Sequence, residues 1–252
     1  MSDTSKQNPG EARMVAESLQ HAQTVKKQKN LTEVPKDYVT KNTSILFLLL
    51  PEWAKMFPPY NMARLIALAK ANGFQASGVD LNIKAYRDYQ KNWKNKIDFN
   101  PWDPARDWKW RDFYETDIHP HMEPFLIEWL NKIEEINPTV IGFTLYYCNE
   151  WPTYWLVREI KKKYPEKIIV VGGPQCHNSD WTPIPEYDYI VSGEGELNLL
   201  EILNEIEVSG KSPTQKWLKQ ENKQRLDLSS LPNPDYDSFD FNEYEVQIGR
   251  AH

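Results

Sequence analysis

The stretch from Val140 to Glu196 reads VIGFTLYYCNEWPTYWLVREIKKKYPEKIIVVGGPQCHNSDWTPIPEYDYIVSGEGE, and it decides the fold. Three apolar runs in it end at Thr144, Val171 and Val191. A segment with a helical repeat, Trp151 to Tyr164, separates the first two runs. Short apolar strands that alternate with helices predict βαβ units and a parallel sheet. Ligands bind beyond the carboxyl ends of the strands in such sheets, and the glycines of this stretch cluster there.

Two further strands are predicted before this stretch. Ser44 to Leu50 is apolar on both faces, as expected of a central strand, and Gln75 to Leu81 ends near the carboxylate of Asp80. The helix between them is predicted to start at Asn61 as its N-cap and to stop at Gly73. The five strands together predict an α/β fold with a flavodoxin-like (Rossmann-like) five-stranded parallel sheet. Its predicted strand order is 2-1-3-4-5, with helices on both faces.

A long connection rich in tryptophan lies at about 96–121, between helices predicted at Ile83 to Trp93 and Met122 to Asn137. Connections of this length are often lids or binding loops. The alternative is that the aromatic side chains pack on the next helix, because aromatic rings bury large areas wherever they can. A last helix is predicted at Leu197 to Val208.

The chain of 252 residues, 40% of them hydrophobic, is predicted to form one sizeable domain at 44–210. Residues 1–43 are polar, with almost no large apolar side chains, and are predicted to be a flexible extension. Residues 211–252 are polar and interrupted by prolines, so they are predicted to be an extended linker.

Composition also argues against several classes of function. The net charge of -6 disfavours a nucleic-acid surface. The longest apolar run, Ile45 to Leu50, is too short to cross a bilayer, and the polar N-terminus has no signal-peptide core. We therefore expect no nucleic-acid partner, no membrane contact and a cytoplasmic location. The two cysteines, Cys148 and Cys176, are expected to be reduced and cannot form a metal site by themselves.

Two glycine motifs are candidates for ligand contacts. Gly172 and Gly173 let a backbone approach a bulky ligand closely, and Pro174 fixes the turn that follows. The alternative is that they only form a turn at the end of a strand. In the Gly-Glu-Gly-Glu run that starts at Gly193, Glu196 is expected to favour the start of a helix. Glu194, on the loop itself, is the better ligand candidate.

The loop after the third strand offers hydroxyl and amide groups to a polar ligand, from Thr144, Tyr146, Tyr147 and Asn149. Cys148 would need a neighbouring base to act as a nucleophile, and the sequence shows none. The histidines lack the His-x-x-x-His or Cys-x-x-Cys spacing of a metal site. We therefore predict no catalytic residue and no protein metal site in this chain.

Four features follow one another in this stretch. They are a strand ending in a hydroxyl residue, the sequence Val-Gly-Gly-Pro, an aspartate-bearing strand and the sequence Gly-Glu-Gly-Glu. This combination resembles the cobalamin-binding domain that precedes the catalytic barrel of B12-dependent radical SAM enzymes. The resemblance covers about Ser44 to Tyr236, and residues 226–236 (LDLSSLPNPDY) are similar to the linker before that barrel. It implies that a radical SAM barrel acts in cis but is absent from this chain.

The resemblance implies that the corrin lies on the carboxyl edge of the sheet, with its nucleotide tail among the strand-end loops. Carried over by position, the cobalamin-binding residues would be Trp53, Met56, Thr144, Leu145, Tyr146, Tyr147, Gly172, Gly173, Pro174, Ser192, Gly193 and Glu194. The Asp-x-His-x-x-Gly motif, which supplies a histidine to cobalt in another cobalamin family, is absent. The loop after the first strand contains no histidine. Cobalt is therefore expected to be bound without a histidine ligand.

The chain departs from the family in its cysteines. A 4Fe-4S cluster of that family needs a Cys-x-x-x-Cys-x-x-Cys run, and this chain has two cysteines, Cys148 and Cys176. The chain alone is therefore expected to bind cobalamin without starting radical chemistry. The resemblance implies that a full-length parent would be a radical SAM methyltransferase that also binds a 4Fe-4S cluster and S-adenosylmethionine.

The last five residues, Ile248 to His252, are what a widely used DNA sequencing adapter, ATCGGAAGAGCACAC, encodes in one reading frame. We therefore expect the genuine frame to continue beyond about Val246 into the radical SAM barrel. A natural stop codon near position 252 in DNA re-amplified from the source would contradict this expectation.

Two other functions are compatible with the predicted fold. A flavodoxin-like domain that binds a flavin or nucleotide should carry glycine, serine or threonine in a phosphate-binding loop after the first strand. Pro51 to Tyr60 contains none of these residues. A non-catalytic interaction domain would use the tryptophan-rich connection as a protein-binding surface.

Overall fold

The computed structural model describes residues 40–103, 108, 110–219 and 231–245. Most of the predicted N-terminal extension, residues 220–230 of the predicted linker and the adapter-like C-terminus lie outside the described residues.

The described residues form one parallel sheet with strand order β2-β1-β3-β4-β5-β6. The strands are β1 (Ser44–Leu49), β2 (Gln75–Asp80), β3 (Val140–Thr144), β4 (Ile168–Gly172), β5 (Tyr189–Ser192) and β6 (Lys216–Lys219). The predicted order of the first five strands is confirmed. The sheet has six strands rather than five, because β6 lies in the segment that was predicted to be a linker. Part of that segment therefore belongs to the domain.

In the described part of the chain, five helices connect the strands: α1 (Tyr60–Ala71), α2 (Leu81–Asp88), α3 (His119–Ile136), α4 (Glu150–Lys163) and α5 (Gly195–Ser209). Short helical turns cover Tyr89–Trp93, Lys94–Lys96, Arg111–Phe113, Tyr114–Ile118, Tyr147–Asn149, Pro174–His177 and Phe241–Glu243. Each predicted helix is present, with ends that differ by a few residues from those expected.

The helices cover both faces of the sheet. Parallel crossovers are right-handed, so the β1-to-β2 connection and the β3-to-β4 connection, which run in opposite directions along the sheet, lie on opposite faces. Accordingly, α1 lies on one side, and α3 packs against both α2 and α4 on the other. α5 packs against α1, so this helix lies on the first side, although the same rule would place a β5-to-β6 connection on the second. Every residue of β3 is buried, which is the burial expected of a central strand covered on both faces.

The ends of α1 and α2 show how single residues set the helix boundaries. The N-cap prediction for Asn61 is wrong: α1 starts at Tyr60 with Pro59 in the cap position, and Asn61 lies in the first turn. Because its side chain is not used as a cap, it is available for a contact across the sheet edge. The carboxylate of Asp80 instead caps α2, accepting a hydrogen bond from the Ile83 backbone at 3.1 Å. Gly73, with a φ of 85°, follows α1 as predicted.

The aromatic side chains of the tryptophan-rich connection are mostly packed inside the domain. Trp102, Trp108 and Tyr114 are buried, whereas Trp110 is exposed. Trp102 is in ring contact with Tyr86 and Trp108, at centroid distances of 5.4 and 5.3 Å. The alternative of packed aromatics is therefore confirmed for these residues, although their partners include the preceding helix as well as the next one.

Residues 231–245 return to the open edge of β2 and cover it. Ser238 accepts a hydrogen bond from the Gly78 backbone N–H at 3.2 Å, and Asp235 pairs with Lys70 on α1 at 2.7 Å. Tyr244, at the end of this segment, is buried and donates to Asp80 at 3.0 Å. Covering an edge strand in this way hides the backbone groups that would otherwise pair with another sheet.

None of the helices in the described part of the chain is long and apolar enough to cross a membrane. The predicted cytoplasmic location stays a prediction.

Candidate functional site

A cavity of about 440 Å³ opens at the carboxyl edge of the sheet, where β3, β4 and β5 end. One wall consists of strand ends and the turns that follow them, and the facing wall is formed by α1 and α5. The cavity reaches below the strand ends, to the level of Gly142 and Val170. Most of its lining is apolar, with a few polar groups at separate points, which is the usual character of a small-molecule site.

Gly173 gives the strand-side wall its shape. Its φ of 114° and ψ of 177° lie in a region that only glycine adopts readily. A Cβ on this residue would lie 2.6 Å from the carbonyl oxygen of Leu145 and 2.9 Å from its nitrogen. The two turns are also hydrogen-bonded, because Leu145 donates to the Gly172 carbonyl and accepts from Gln175. The wall is therefore backbone packed on backbone, and it has no room for a side chain.

The facing wall brings Asn61 and Leu65 of α1 together with Gly195, Glu196 and Leu199 of α5. Asn61 donates from Nδ2 to the hydroxyl of Thr144 at 3.2 Å, across the mouth between α1 and β3. Glu196 lies 3.6 Å from the guanidinium of Arg64, so a partly buried ion pair joins the two helices. The wall thus carries one amide and one carboxylate among apolar side chains.

His177 fixes the loop that follows β5. Its Nε2 accepts a hydrogen bond from the Gly193 backbone at 2.8 Å, so this nitrogen carries no proton. The proton is then on Nδ1, which lies 3.3 Å from the hydroxyl of Ser192 and can donate to it. Because His177 also lines the cavity, it links the Gly-Gly-Pro turn to the Gly-Glu-Gly-Glu loop.

We expect His177→Ala to release the Gly193 amide and raise its hydrogen-exchange rate about fivefold, the effect of losing one hydrogen bond of roughly 1 kcal/mol. His177→Gln should restore most of the protection, because its side-chain oxygen reaches a similar position to Nε2. Site-resolved amide exchange by NMR measures both. Equal exchange in the alanine and glutamine variants would show that the Gly193 contact does not hold the loop.

The loop after β1 borders the cavity through a ring stack. Trp53 packs on Tyr146, with ring centroids 3.7 Å apart and an angle of 16° between the planes. Tyr146 lines the cavity, and burial raises the pKa of its hydroxyl, which therefore stays protonated. The buried amide of Asn82 holds the backbone of this loop at Trp53 and Ala54.

The loop after β3 uses its polar groups within the protein. The side chain of Asn149 is fully buried, accepts from the Tyr146 backbone and donates to the Leu50 and Thr144 carbonyls. It therefore cannot offer its amide to a ligand, contrary to the expectation from the sequence. Cys148 donates to the Glu52 carbonyl at 3.1 Å, and burial raises the pKa of the Cys176 thiol to about 12. Cys176 is thus an unreactive core thiol.

The cavity brings together part of the predicted cobalamin-binding set: Thr144, Tyr146, Gly172, Gly173, Pro174 and Gly193. Trp53 stacks on Tyr146 at the edge of the cavity, and Leu145 is buried behind the cavity wall. Ser192 contacts His177, and Glu194 occupies the N-cap position of α5. Met56 and Tyr147 are more than half exposed, at 51% and 57%, on loops that lie outside the cavity lining.

The sequence interpretation did not assign the residues of the helical wall, nor His177, to the site. The sequence predicts Asn61 as a helix cap and Glu196 as a residue of the helix start, and both predictions rest on local sequence alone. The two walls meet because α1 packs on α5 above the strand ends, and no local pattern in the sequence reports that packing. Among the residues that the structure describes, no three histidine, cysteine or acidic side chains cluster as a metal site.

Comparison with models of protein families and with curated protein sequences finds no match. Among solved structures, the chain is similar to the radical S-adenosylmethionine methyltransferase TsrM from Kitasatospora setae, determined with tryptophan substrate and a SAM analog bound. The identity is 16% and the TM-score is 0.38. The match covers 67% of this chain and spans only 27% of that protein. A score of this size does not carry a function from one protein to the other.

Proposed function

We propose that this chain is the cobalamin-binding module of a B12-dependent radical SAM enzyme, which in full-length form would be a methyltransferase. The observation that carries the proposal is the cavity at the ends of β3, β4 and β5, whose wall is the Gly172-Gly173-Pro174 turn packed on Leu145. The motif combination that suggested a cobalamin domain thus converges on one cavity rather than on separate surface turns.

The residues present fit the flat, apolar base at the end of a nucleotide tail. The strand-side wall carries glycines, so a ring system can lie against the backbone there. Leu65 and Leu199 supply apolar contacts from the helices. Because the Thr144 hydroxyl accepts from Asn61, its own proton can be donated to an acceptor on the tail.

Cobalamin is too large to enter a cavity of about 440 Å³ as a whole. The cavity would therefore take the nucleotide tail, and the corrin would lie above the sheet edge. When bound, cobalamin supplies a cobalt centre that can carry and transfer a one-carbon group. A radical SAM barrel acting in cis would supply the 4Fe-4S cluster and S-adenosylmethionine, because two cysteines cannot ligate such a cluster.

The chain's own residues bind and orient the cofactor in this proposal. The His177 contacts hold the Gly193 loop, and the Asn61 contact fixes the Thr144 hydroxyl. No histidine is present in the loop after β1, so we propose that cobalt is held without a histidine ligand.

The structure disfavours both rival functions. α1 starts with Pro59 in the cap position and no glycine, serine or threonine precedes it in the loop, so its N-terminus lacks a phosphate cradle for a flavin. The rings of Trp102 and Trp108 are buried, so these two tryptophans of the connection are not available to a protein partner.

The first test is retention of hydroxocobalamin. The purified chain is incubated with it and desalted, and the visible spectrum of the protein fraction is recorded. We expect one equivalent of retained corrinoid with a base-off spectrum, because the nucleotide tail would occupy the cavity. FMN treated in the same way should pass through.

A colourless protein fraction from a sample with a cooperative unfolding transition would contradict the proposal. Retention of FMN in place of the corrinoid would favour the flavin-binding rival. A retained corrinoid with its base on cobalt would place the tail outside the cavity and contradict the assignment of that part of the site.

A further inference from the structure

Asn82 is a fully buried amide whose hydrogen bonds hold two separate segments. Its Oδ1 accepts from the backbone N–H of Trp53 at 3.0 Å, and its Nδ2 donates to the carbonyls of Trp53 and Ala54, both at 3.1 Å. The same Oδ1 accepts from the indole N–H of Trp102 at 2.9 Å. One side chain therefore joins the loop after β1 to the tryptophan-rich connection.

Trp102 is itself held by its neighbours. The side chain is 4% exposed and makes ring contacts with Tyr86, Tyr89, Trp93 and Trp108. A ring confined in this way keeps its N–H in a fixed direction, and the direction is that of the Asn82 oxygen. An indole N–H buried without an acceptor would carry an uncompensated desolvation penalty, so Trp102 requires the Asn82 oxygen as its partner.

The loop that Asn82 holds carries the ring at the edge of the cavity. Trp53 is 36% exposed, yet its ring lies flat on Tyr146, which lines the cavity. Between Leu49 and Tyr60 this loop has no regular secondary structure to fix it. Its position at Trp53 therefore rests on side-chain bonds: those from Asn82 to Trp53 and Ala54, and one from Cys148 to the neighbouring Glu52 carbonyl.

We propose that the tryptophan-rich connection acts as a buttress for the cofactor site: Trp102, through Asn82, positions Trp53 against Tyr146. Trp102 is a positioning residue that touches no ligand. This assigns a role to the long connection that is neither a lid nor a protein-binding surface. The effect on cobalamin rests on the proposed function, whereas the effect on the loop is independent of it.

The chain offers a matched pair of variants. Trp102→Phe removes the N–H that binds Asn82 and keeps an aromatic ring in the cluster. Trp93→Phe is the control, because Trp93 is equally buried, contacts the same cluster and donates its N–H to Asp88 at 3.1 Å instead. Both variants lose one indole hydrogen bond, but only the first loses a bond to Asn82.

Amide exchange of Trp53 in the ligand-free chain is the primary readout. We expect Trp102→Phe to exchange at this amide about fivefold faster than the wild type, the effect of one hydrogen bond of roughly 1 kcal/mol, and Trp93→Phe to leave it unchanged. Hydroxocobalamin should also dissociate about fivefold faster from the Trp102→Phe chain than from the control. A merely structural role would lower the unfolding midpoint of both variants. Trp53 amide exchange and hydroxocobalamin dissociation would then be the same in Trp102→Phe and Trp93→Phe.

The outcomes separate the two proposals. Equal Trp53 exchange in both variants would overturn the buttress, whatever the cobalamin result. Faster exchange only in Trp102→Phe, with no corrinoid retained by the wild type, would support the buttress and overturn the proposed function. If Trp102→Phe does not fold, the wild type supplies the test: the Trp53 amide and the Trp102 indole should then show equal protection, and independent opening would overturn the coupling.

Discussion

We expect replacement of Gly173 by alanine to destabilise the chain by about 3–4 kcal/mol and to abolish retention of hydroxocobalamin. The new Cβ would lie 2.6 Å from the Leu145 carbonyl oxygen, which is backbone and cannot rotate away. The φ of 114° adds strain for any residue with a side chain. Relief of the contact would move the turn or the Leu145 loop, and both form the wall of the cavity.

Alanine substitutions at two other glycines serve as controls that separate the backbone strain at Gly173 from its steric contact with Leu145. Gly210 has a φ of 76° and nothing within 4 Å of its added Cβ, so Gly210→Ala reports strain alone, about 1–2 kcal/mol. Gly195 begins α5, and its added Cβ would meet Leu65 at 3.6 Å, an ordinary contact. Gly195→Ala should therefore change stability by less than about 1 kcal/mol, in either direction.

Urea unfolding followed by circular dichroism measures the three free energies under identical conditions. The retention assay compares Gly173→Ala with Gly210→Ala, which lies away from the cavity. If Gly173→Ala costs no more than Gly210→Ala, the backbone contact with Leu145 is not a constraint. A folded Gly173→Ala chain that retains the corrinoid normally would remove the Gly-Gly-Pro turn from the proposed site.

The fold was largely predictable because buried parallel strands leave a strong local signal. β1, β3 and β4 are apolar on both faces, and the helices between them have a clear helical repeat. β6 was missed for the opposite reason: its sequence, KWLK, has four residues, two of them lysines. Edge strands are short and charged because they must not pair with other chains, so their composition resembles that of a linker.

The candidate site was half predictable for a related reason. Gly173 is required by the local geometry of a turn, and such requirements are visible in the sequence. Asn61 and Leu199 face the same cavity only because α1 packs against α5, and no local pattern reports that packing. The bond from Trp102 to Asn82 was equally hidden, because Trp102 lies in an irregular segment. Neither the helical repeat nor the strand alternation of apolar residues can be used there.

The second large effect concerns Asp80, whose side chain is buried at the end of β2. Burial raises its pKa from 3.8 to about 6, although hydrogen bonds from the Ile83 backbone and the Tyr244 hydroxyl act in the opposite direction. Between these two values the folded chain binds a proton that the unfolded chain has lost. The contribution of Asp80 to stability is therefore fully present below pH 4 and is lost as the pH rises through about 6.

We expect Asp80→Asn to be more stable than the wild type by about 3 kcal/mol at pH 7.5, since two pKa units correspond to about 3 kcal/mol. Asparagine keeps the size of the side chain and caps helices well, so the variant retains the contact with Ile83 while removing the buried charge. The difference between the two chains should shrink to near zero at pH 4. Urea unfolding from pH 4 to 8 measures the free energy of both chains. The difference between them removes the contribution of the other carboxylates, which the two chains share.

Asp235→Asn is the matched control with the opposite sign. Partial burial raises the pKa of Asp235, but the hydrogen bond from Lys70 and the Asp237 backbone together leave it below its ordinary value. Its ionised form is thus stabilising, so Asp235→Asn should lose stability at pH 7.5 and lose progressively less as the pH falls below 4. If Asp80→Asn behaves like this control, the hydrogen bonds to Asp80 outweigh its burial. The hydrogen bond from Tyr244 to the ionised Asp80 would then stabilise the edge of the sheet at neutral pH, and the buried charge would not be a net cost.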